Sequence, residues 1–139
     1  MTPHDTNIAP PHKRRGVLVA VSIPIFTSQL EKARDAVTVA NLRAAYAEAA
    51  SDFLTSNGKE VTNGNVSVAA PGTDGSVVVT VKDVVIKGTN AKDLSGVDAE
   101  LPFSVAGYYA KLNVSEGNTK ATVKFTYAKD ASQPTFSMD

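Results

Sequence analysis

The chain has 139 residues, and its 14 Lys and Arg balance its 14 Asp and Glu, so its formal net charge is zero. This length favours one domain, and the balanced charge provides no overall field to attract nucleic acid or an anionic membrane. The absence of cysteine excludes disulfides and thiolate metal sites. With no tryptophan and 6% aromatic residues, we expect no haem or flavin pocket and no cofactor.

The stretch 1–15 is rich in proline and contains few apolar side chains. Proline interrupts regular structure, and a stretch with little to bury does not fold by itself. We therefore predict a disordered tail here. It holds both histidines, His4 and His12, but nothing in the sequence fixes their geometry, so we predict no metal site.

Residues 16–56 have the pattern of one long helix, which Asn57 and Gly58 would end with a left-handed cap. Apolar residues that step by three and four positions share one helix face, and we expect this predicted stripe to pack on the rest of the domain. The predicted stripe consists of Phe26, Leu30, Ala33, Val37, Ala40, Ala44 and Ala47. A second apolar set, expected to widen it, consists of Val39, Leu42, Tyr46 and Phe53. The predicted polar face consists of Glu31, Lys32, Arg34, Asp35, Arg43, Glu48 and Asp52.

Pro24 lies in the first third of this pattern and allows two interpretations. A proline inside a helix removes a backbone hydrogen bond and kinks the helix one turn earlier. Alternatively, the helix begins at Pro24, since proline is favoured at the first helical position. The pattern alone does not decide between them.

Residues 57–139 have strand-and-turn composition. We predict strands over 76–81 and 84–87, with a bulge or tight turn at Lys82 and Asp83 because the inward phase changes there. A C-terminal hairpin is predicted to pair 108–114 with 121–127 around a four-residue loop. Its register would pair Leu112 with Ala121, Ala110 with Val123, and Tyr108 with Phe125. Residues 88–104 are predicted to be a long connection, anchored by Leu94, Val97, Leu101 and Phe103.

These elements predict an α+β fold in which the long N-terminal helix packs on an antiparallel sheet. The domain organisation is a tail over 1–15, a helix over 16–56 and a β-rich head over 57–139. A helix of about 40 residues would be roughly 60 Å long, whereas a domain of this size spans about 30 Å. The apolar end of the helix, residues 17–26, should therefore project and require a partner such as lipid or other chains.

The chain lacks the residue patterns of an enzyme. Both histidines lie in the tail, so a Ser/His/Asp triad has no base, and neither phosphate-binding glycine pattern occurs. Asp98 and Glu100 are predicted to be solvated loop carboxylates. The apolar run 17–26 is too short to span a membrane, which requires about 20 residues. We expect no catalytic site, and we expect the chain as it stands to be soluble.

The stretch 16–53 strongly resembles the N-terminal helix of type IV pilins, and it looks most like those of Gram-positive gut bacteria. The resemblance is carried by the motif Ile23-Pro24-Ile25-Phe26, by the amphipathic helix that follows it, and by Asn-Leu-Arg-Ala-Ala-Tyr at 41–46. It covers roughly 38 residues, and the remainder agrees in architecture only. The resemblance implies the pilin fold and the kinked form of the helix at Pro24.

The sequence departs from the family pattern before this stretch. Family members begin with a basic leader, a glycine cleavage point and a long apolar run with a glutamate near its start. Gly16 aligns with a glycine inside that run. If Arg15 and Gly16 formed the cleavage site instead, the glutamate position would be occupied by Val21. We expect a shortened chain without a prepilin cleavage site, with membrane contact only through the missing segment.

The resemblance implies a structural subunit of an extracellular type IV pilus for adhesion, motility or DNA uptake. Its partners would be other pilin subunits, the assembly machinery, and a host surface or DNA. The subunit would sit in the cytoplasmic or inner membrane before assembly. Filament assembly is assigned to Val17, Val21, Pro24, Ile25 and Phe26.

Two alternatives stay open. Within the family, the chain could be a minor pilin, or a pseudopilin of a competence or type II secretion system. In another class, it could be a secreted carbohydrate-binding or adhesin module, for which Tyr109 is the one obvious aromatic candidate. Asn65 and Asn113 carry Asn-x-Ser patterns, which are weak glycosylation signals.

Overall fold

The computed structural model describes residues 9–88, 93–114 and 119–139, with side chains from Gln29 onward. In this part of the chain one helix packs on a five-stranded antiparallel sheet. The sheet has the strand order β1-β2-β3-β4-β5. Its elements are α1 (Ala9–Ser56), β1 (Val61–Asn63), β2 (Val66–Val68), β3 (Val77–Ile86), β4 (Thr119–Tyr127) and β5 (Thr135–Met138). The α+β prediction is confirmed.

The helix α1 begins at Ala9 and ends at Ser56. The alternative in which it begins at Pro24 is therefore wrong, and the bend predicted at Pro24 stays a prediction. The helix begins inside the stretch predicted as a disordered tail, whose residues 1–8 lie outside the described residues. Pro10 and Pro11 fall in the first turn, where a missing N–H breaks no intrahelical bond. At the other end, Asn57 (φ 53°) and Gly58 (φ 77°) adopt the predicted left-handed conformation.

The central strand β3 unites the two predicted strands 76–81 and 84–87. It pairs with β4 over its whole length, and the register shifts between Val81 and Val84. Asp83 at this shift has a φ of 61°, so the predicted bulge at Lys82 and Asp83 is confirmed. The buried positions are odd-numbered up to Val81 and even-numbered from Val84 onward, so the extra residue of the bulge keeps them on the same face of the sheet.

The C-terminal hairpin predicted between 108–114 and 121–127 is wrong. The strand β4 forms as predicted, but its partners are β3 and β5, so that Val123 pairs with Val81 and with Met138. The segment 106–114 instead forms a 3₁₀ turn at Ala106–Tyr108 followed by turns. The amides of Lys111 and Leu112 both donate to the Tyr108 carbonyl. The predicted loop 115–118 lies outside the described residues.

The helix face that packs on the sheet is the second apolar set, not the predicted stripe. Leu42, Val39, Ala45 and Ala49 are buried, whereas the described stripe residues are all exposed, including Val37 at 40%. Successive helix positions are separated by about 100°, so the two sets occupy opposite sides of α1. The sheet covers the side with the larger side chains because it buries more apolar area there. The six exposed stripe residues are Leu30, Ala33, Val37, Ala40, Ala44 and Ala47.

Aromatic rings fill the space between the helix and the sheet. Tyr46 on α1 lies 5.6 Å from Phe103 and 5.7 Å from Phe125, measured between ring centroids. Phe136 on β5 stacks on Phe103 at 5.2 Å. Tilted and edge-to-face pairs of this kind add to the energy of burial alone, so this cluster fixes where α1 crosses the sheet.

The connection from β3 to β4 covers one end of this core. Leu94, Leu101 and Phe103 are buried and Val97 is half-buried. The prediction that these residues anchor the connection is confirmed. A 3₁₀ turn, Val97–Glu100, lies between them.

Candidate assembly surface

The exposed stripe forms the solvent-facing side of α1. Its six members lie within an arc of about 100° around the helix, and Leu42 lies about 170° from the centre of that arc. Leu30 and Val37 are each 40% exposed, and Leu54 near the helix end is 75% exposed. A row of apolar side chains facing away from the core of its own domain is a surface suited to another apolar partner.

Positively and negatively charged side chains lie at opposite ends of this surface along the helix. Lys32 and Arg34 precede the centre of the stripe, and Glu48 and Asp52 follow it. Between them, Arg43 donates to Glu100 at 3.1 Å, which ties the helix to the 3₁₀ turn. No ion pair between Lys32 or Arg34 and Glu48 or Asp52 is formed within the described residues. Lys32 and Glu48 are exposed, whereas Arg34 and Asp52 are half-buried.

An open recess borders the anionic end of the stripe. It has a volume of about 540 Å³ and lies between α1 and the β1–β2 hairpin. Ala47, Glu48 and Asp52 form its helix wall, and Asn63 and Asn65 form the hairpin wall. The recess adds a polar, carboxylate-lined margin to the apolar stripe.

The residues to which the sequence assigned assembly lie within the range of α1. Their side chains precede Gln29 and so lie outside the described residues, and their role stays a prediction. These residues are Val17, Val21, Pro24, Ile25 and Phe26.

The loop carboxylates and the aromatic candidate are engaged within the protein. The Tyr109 hydroxyl donates to Asp98 at 2.5 Å, and this hydrogen bond raises the pKa of Tyr109. Glu100 accepts from Arg43. Asp98 and Glu100 were predicted to be solvated loop carboxylates. The Glu100 side chain is 71% exposed, as predicted, whereas Asp98 is half-buried. Tyr109 is half-buried, so it does not present a free aromatic face.

The two Asn-x-Ser patterns have different surroundings. Asn65 is exposed beside the turn between β1 and β2. Asn113 is half-buried, and its side-chain oxygen is buried without a hydrogen-bond partner among the described groups. Only Asn65 combines the pattern with exposure.

No group of three or more His, Cys, Asp or Glu among the described residues could hold a metal ion. His4 lies outside those residues, and His12 lies on α1 where side chains are not described. Within the described part of the chain, no helix has an apolar stretch long enough to cross a bilayer.

The sequence pattern located the solvent-facing stripe but gave it the wrong role. It also placed Asp35 on the polar face, whereas Asp35 is fully buried. The larger side chains of Leu42, Tyr46 and Phe53 were the available signal for the packed face.

Comparison with known proteins gives no relative: no protein family, curated protein or solved structure matches this chain.

Proposed function

We propose that this chain is a structural subunit of an extracellular type IV pilus, which polymerises through its N-terminal helix. The observation that carries the proposal is the apolar stripe of α1, which faces away from its own sheet. The resemblance of 16–53 to the N-terminal helix of type IV pilins supports the same function.

The dimensions of the helix favour assembly through its free side. A helix of 48 residues measures roughly 72 Å at 1.5 Å per residue. The described contacts of α1 with the rest of the protein fall between Asp35 and Ser56, which corresponds to about 33 Å of helix. The described stripe residues Leu30 and Ala33 lie before this contact region and are exposed, so they are available to other subunits.

Small side chains on the stripe allow helices to approach closely. Ala33, Ala40, Ala44 and Ala47 present only methyl groups to a neighbour, and the distance between packed helices depends on the side chains at the contact. Covering the exposed part of Val37 would contribute roughly 1 kcal/mol per subunit. A surface repeated along a filament multiplies this small gain.

The separated charges favour a staggered, parallel arrangement of subunits. The Lys32 and Arg34 end lies about 17 residues before the Glu48 and Asp52 end, which is roughly 25 Å along the helix. A neighbour displaced by that distance brings its cations opposite these carboxylates. Contacts of this head-to-tail kind do not close on themselves and so build a fibre. The β-rich head would then face outward and present its loops for adhesion, motility or DNA uptake.

Filament formation tests the proposal. A prepilin leader and hydrophobic segment would be fused ahead of Gly16, and the protein expressed with a prepilin peptidase and an assembly ATPase. We expect filaments by electron microscopy. Ala40→Glu should abolish them without changing the thermal midpoint of the purified, unfused chain, because it places a charge on the exposed stripe. Ala128→Glu, at an exposed position after β4, is the matched control and should assemble normally.

A charge-reversal pair tests the stagger. Lys32→Glu with Arg34→Glu should reduce filament yield, and so should Glu48→Lys with Asp52→Lys. Co-expression of the two doubly substituted chains should restore mixed filaments. Lys120→Glu, at an exposed position on β4, is the control for a charge reversal away from the stripe. A fused chain that stays monomeric while binding glycans saturably would refute the pilin proposal in favour of a binding module.

A further inference from the structure

Asp35 is a fully buried carboxyl group at the contact between α1 and the segment 93–95. Its Oδ2 accepts a hydrogen bond from the Ser95 hydroxyl at 2.5 Å. Its Oδ1 is buried and accepts no hydrogen bond from an N–H or hydroxyl group among the described residues. An ionised carboxylate that is buried with one unsatisfied oxygen is costly, because water would otherwise solvate that charge.

The groups around Asp35 oppose its ionisation. Glu31 lies four residues earlier on the same helix and forms a side-chain hydrogen bond with it. Two carboxyl groups can share a hydrogen bond only if one of them carries a proton. Asp93, on the segment packed over α1, adds a second negative charge.

The end of β3 closes the remaining side of the Asp35 site with backbone. A Cβ at Gly88 would lie 2.6 Å from Asp35 Oδ1, so this chain passes very close to the carboxyl. The amides of Lys87 and Gly88 donate to the Thr38 hydroxyl, at 2.8 and 3.2 Å, and not to Asp35. The described charged groups that shift the pKa of Asp35 are Glu31 and Asp93, and both raise it.

We propose that Asp35 is a proton-binding site, protonated in the folded protein at pH values where an exposed aspartate is ionised. The bound proton supplies the donor between Asp35 and Glu31, and it removes the repulsion between Asp35 and Asp93. In this form Asp35 latches α1 to the segment 93–95 through Ser95. Loss of the proton leaves three carboxylates around one buried position, and their repulsion destabilises this contact even though the Ser95 hydroxyl donates more strongly to an ionised carboxylate.

The electrostatics agree with this geometry. Burial raises the pKa of Asp35 above its ordinary value, Ser95 lowers it in part, and Glu31 and Asp93 raise it further. A carboxyl whose folded pKa exceeds its unfolded pKa binds more protons when folded. The free energy of unfolding therefore falls as pH rises from the unfolded pKa through the folded one. This direction is opposite to that of a salt-bridged aspartate.

The direct test is a carbon-13 NMR titration of the Asp35 carboxyl in the unmodified protein. We expect a midpoint above the ordinary aspartate value. The protection factor of the Ser95 amide, in which the intrinsic acceleration of exchange with pH is divided out, should fall as the pH rises through that midpoint. A midpoint at the ordinary aspartate value would overturn the proposal, and this measurement requires no variant to fold.

A pair of variants tests the energetic consequence. Asp35→Asn should remove the loss of stability with rising pH, since the amide is neutral throughout. The comparison is made at a pH above the folded pKa of Asp35, where the unmodified protein has lost the stability supplied by the proton. There the unfolding equilibrium constant of Asp35→Asn should be lower than that of the unmodified protein by about tenfold for each unit by which the pKa of Asp35 is raised. Glu48→Gln, an exposed carboxylate on the same helix, should change the pH profile little. A pH-independent difference between Asp35→Asn and the unmodified protein would contradict the latch.

Discussion

Phe53 on α1 and Tyr127 on β4 stack face to face, with ring centroids 4.2 Å apart and planes 6° apart. This pair joins the last turns of the helix to the end of the central ladder. The Tyr127 hydroxyl is buried without a hydrogen-bond partner among the described groups. The stack therefore combines a favourable ring contact with an unsatisfied polar atom at its edge.

Replacing this hydroxyl should stabilise the protein. Tyr127→Phe keeps the stacked ring and removes the unpartnered group, so we expect a gain of about 1 kcal/mol in the free energy of unfolding. Burial, with a smaller contribution from Tyr46, raises the pKa of Tyr127 to about 12. Since the neutral form is favoured in the folded state, stability should fall between about pH 10 and 12. Urea titrations at neutral and alkaline pH check both effects, and an identical alkaline loss in Tyr127→Phe would argue against this origin.

Two truncations on α1 test which helix face packs on the sheet. Leu42 is 0% exposed and Val37 is 40% exposed. Leu42→Ala should cost about 3 kcal/mol because it leaves a cavity between α1 and the sheet, whereas Val37→Ala should change stability by less than about 0.5 kcal/mol. Urea unfolding measures both. Equal losses would mean that the exposed stripe also contributes to the fold of the single chain.

The Thr38 hydroxyl is a buried acceptor for the end of β3. It accepts from the amides of Lys87 and Gly88, so Thr38→Val should leave two donors unsatisfied and cost about 2–3 kcal/mol. Thr55→Val removes an exposed hydroxyl that donates to Ser51 and should cost far less. Amide exchange at Lys87 and Gly88 provides a local readout. If these amides stay protected in Thr38→Val, the hydroxyl is not their essential partner.

Gly88 is required by close approach rather than by its backbone angle. A Cβ there would meet Asp35 Oδ1 at 2.6 Å and the Leu112 carbonyl at 3.3 Å. Gly88→Ala should therefore cost about 2 kcal/mol through displacement of the buried carboxyl or the backbone. Gly107→Ala, where a Cβ would meet nothing within 4 Å, is the matched control and should be neutral or slightly stabilising. Thermal unfolding compares the two variants. Equal midpoints would show that the Asp35 carboxyl or the backbone around it can move away from a Cβ at position 88 at little cost.

Local signals in the sequence predicted local structure well. Asn57 and Gly58 end the helix because both tolerate positive φ, and the phase change at Lys82 and Asp83 marks a bulge because side-chain alternation has a period of two. Leu94 was also identified as a buried anchor, because it is an apolar residue within a polar connection. Each of these features depends on a few neighbouring residues.

Pairing across long distances was not predictable in this way. The alternation of β4 was recognised, but a strand with one apolar face can pair with any neighbour of matching phase. The segment containing Leu112 satisfied that condition and yet forms turns, because β3 offers β4 a longer ladder. The short strands β1 and β5 contain too few residues to show a period.

The sequence by itself determined that residues 16–56 form a helix with two apolar sides and that the chain after Gly58 contains strands, since both periodicities are properties of the local chain. Only the tertiary structure decided which helix side is buried, because that depends on the volume of Leu42, Tyr46 and Phe53 against the shape of the sheet. The same choice leaves the alanine-rich side to solvent and buries Asp35. Helical spacing places residues on a face, but the partner across the interface decides which face is covered.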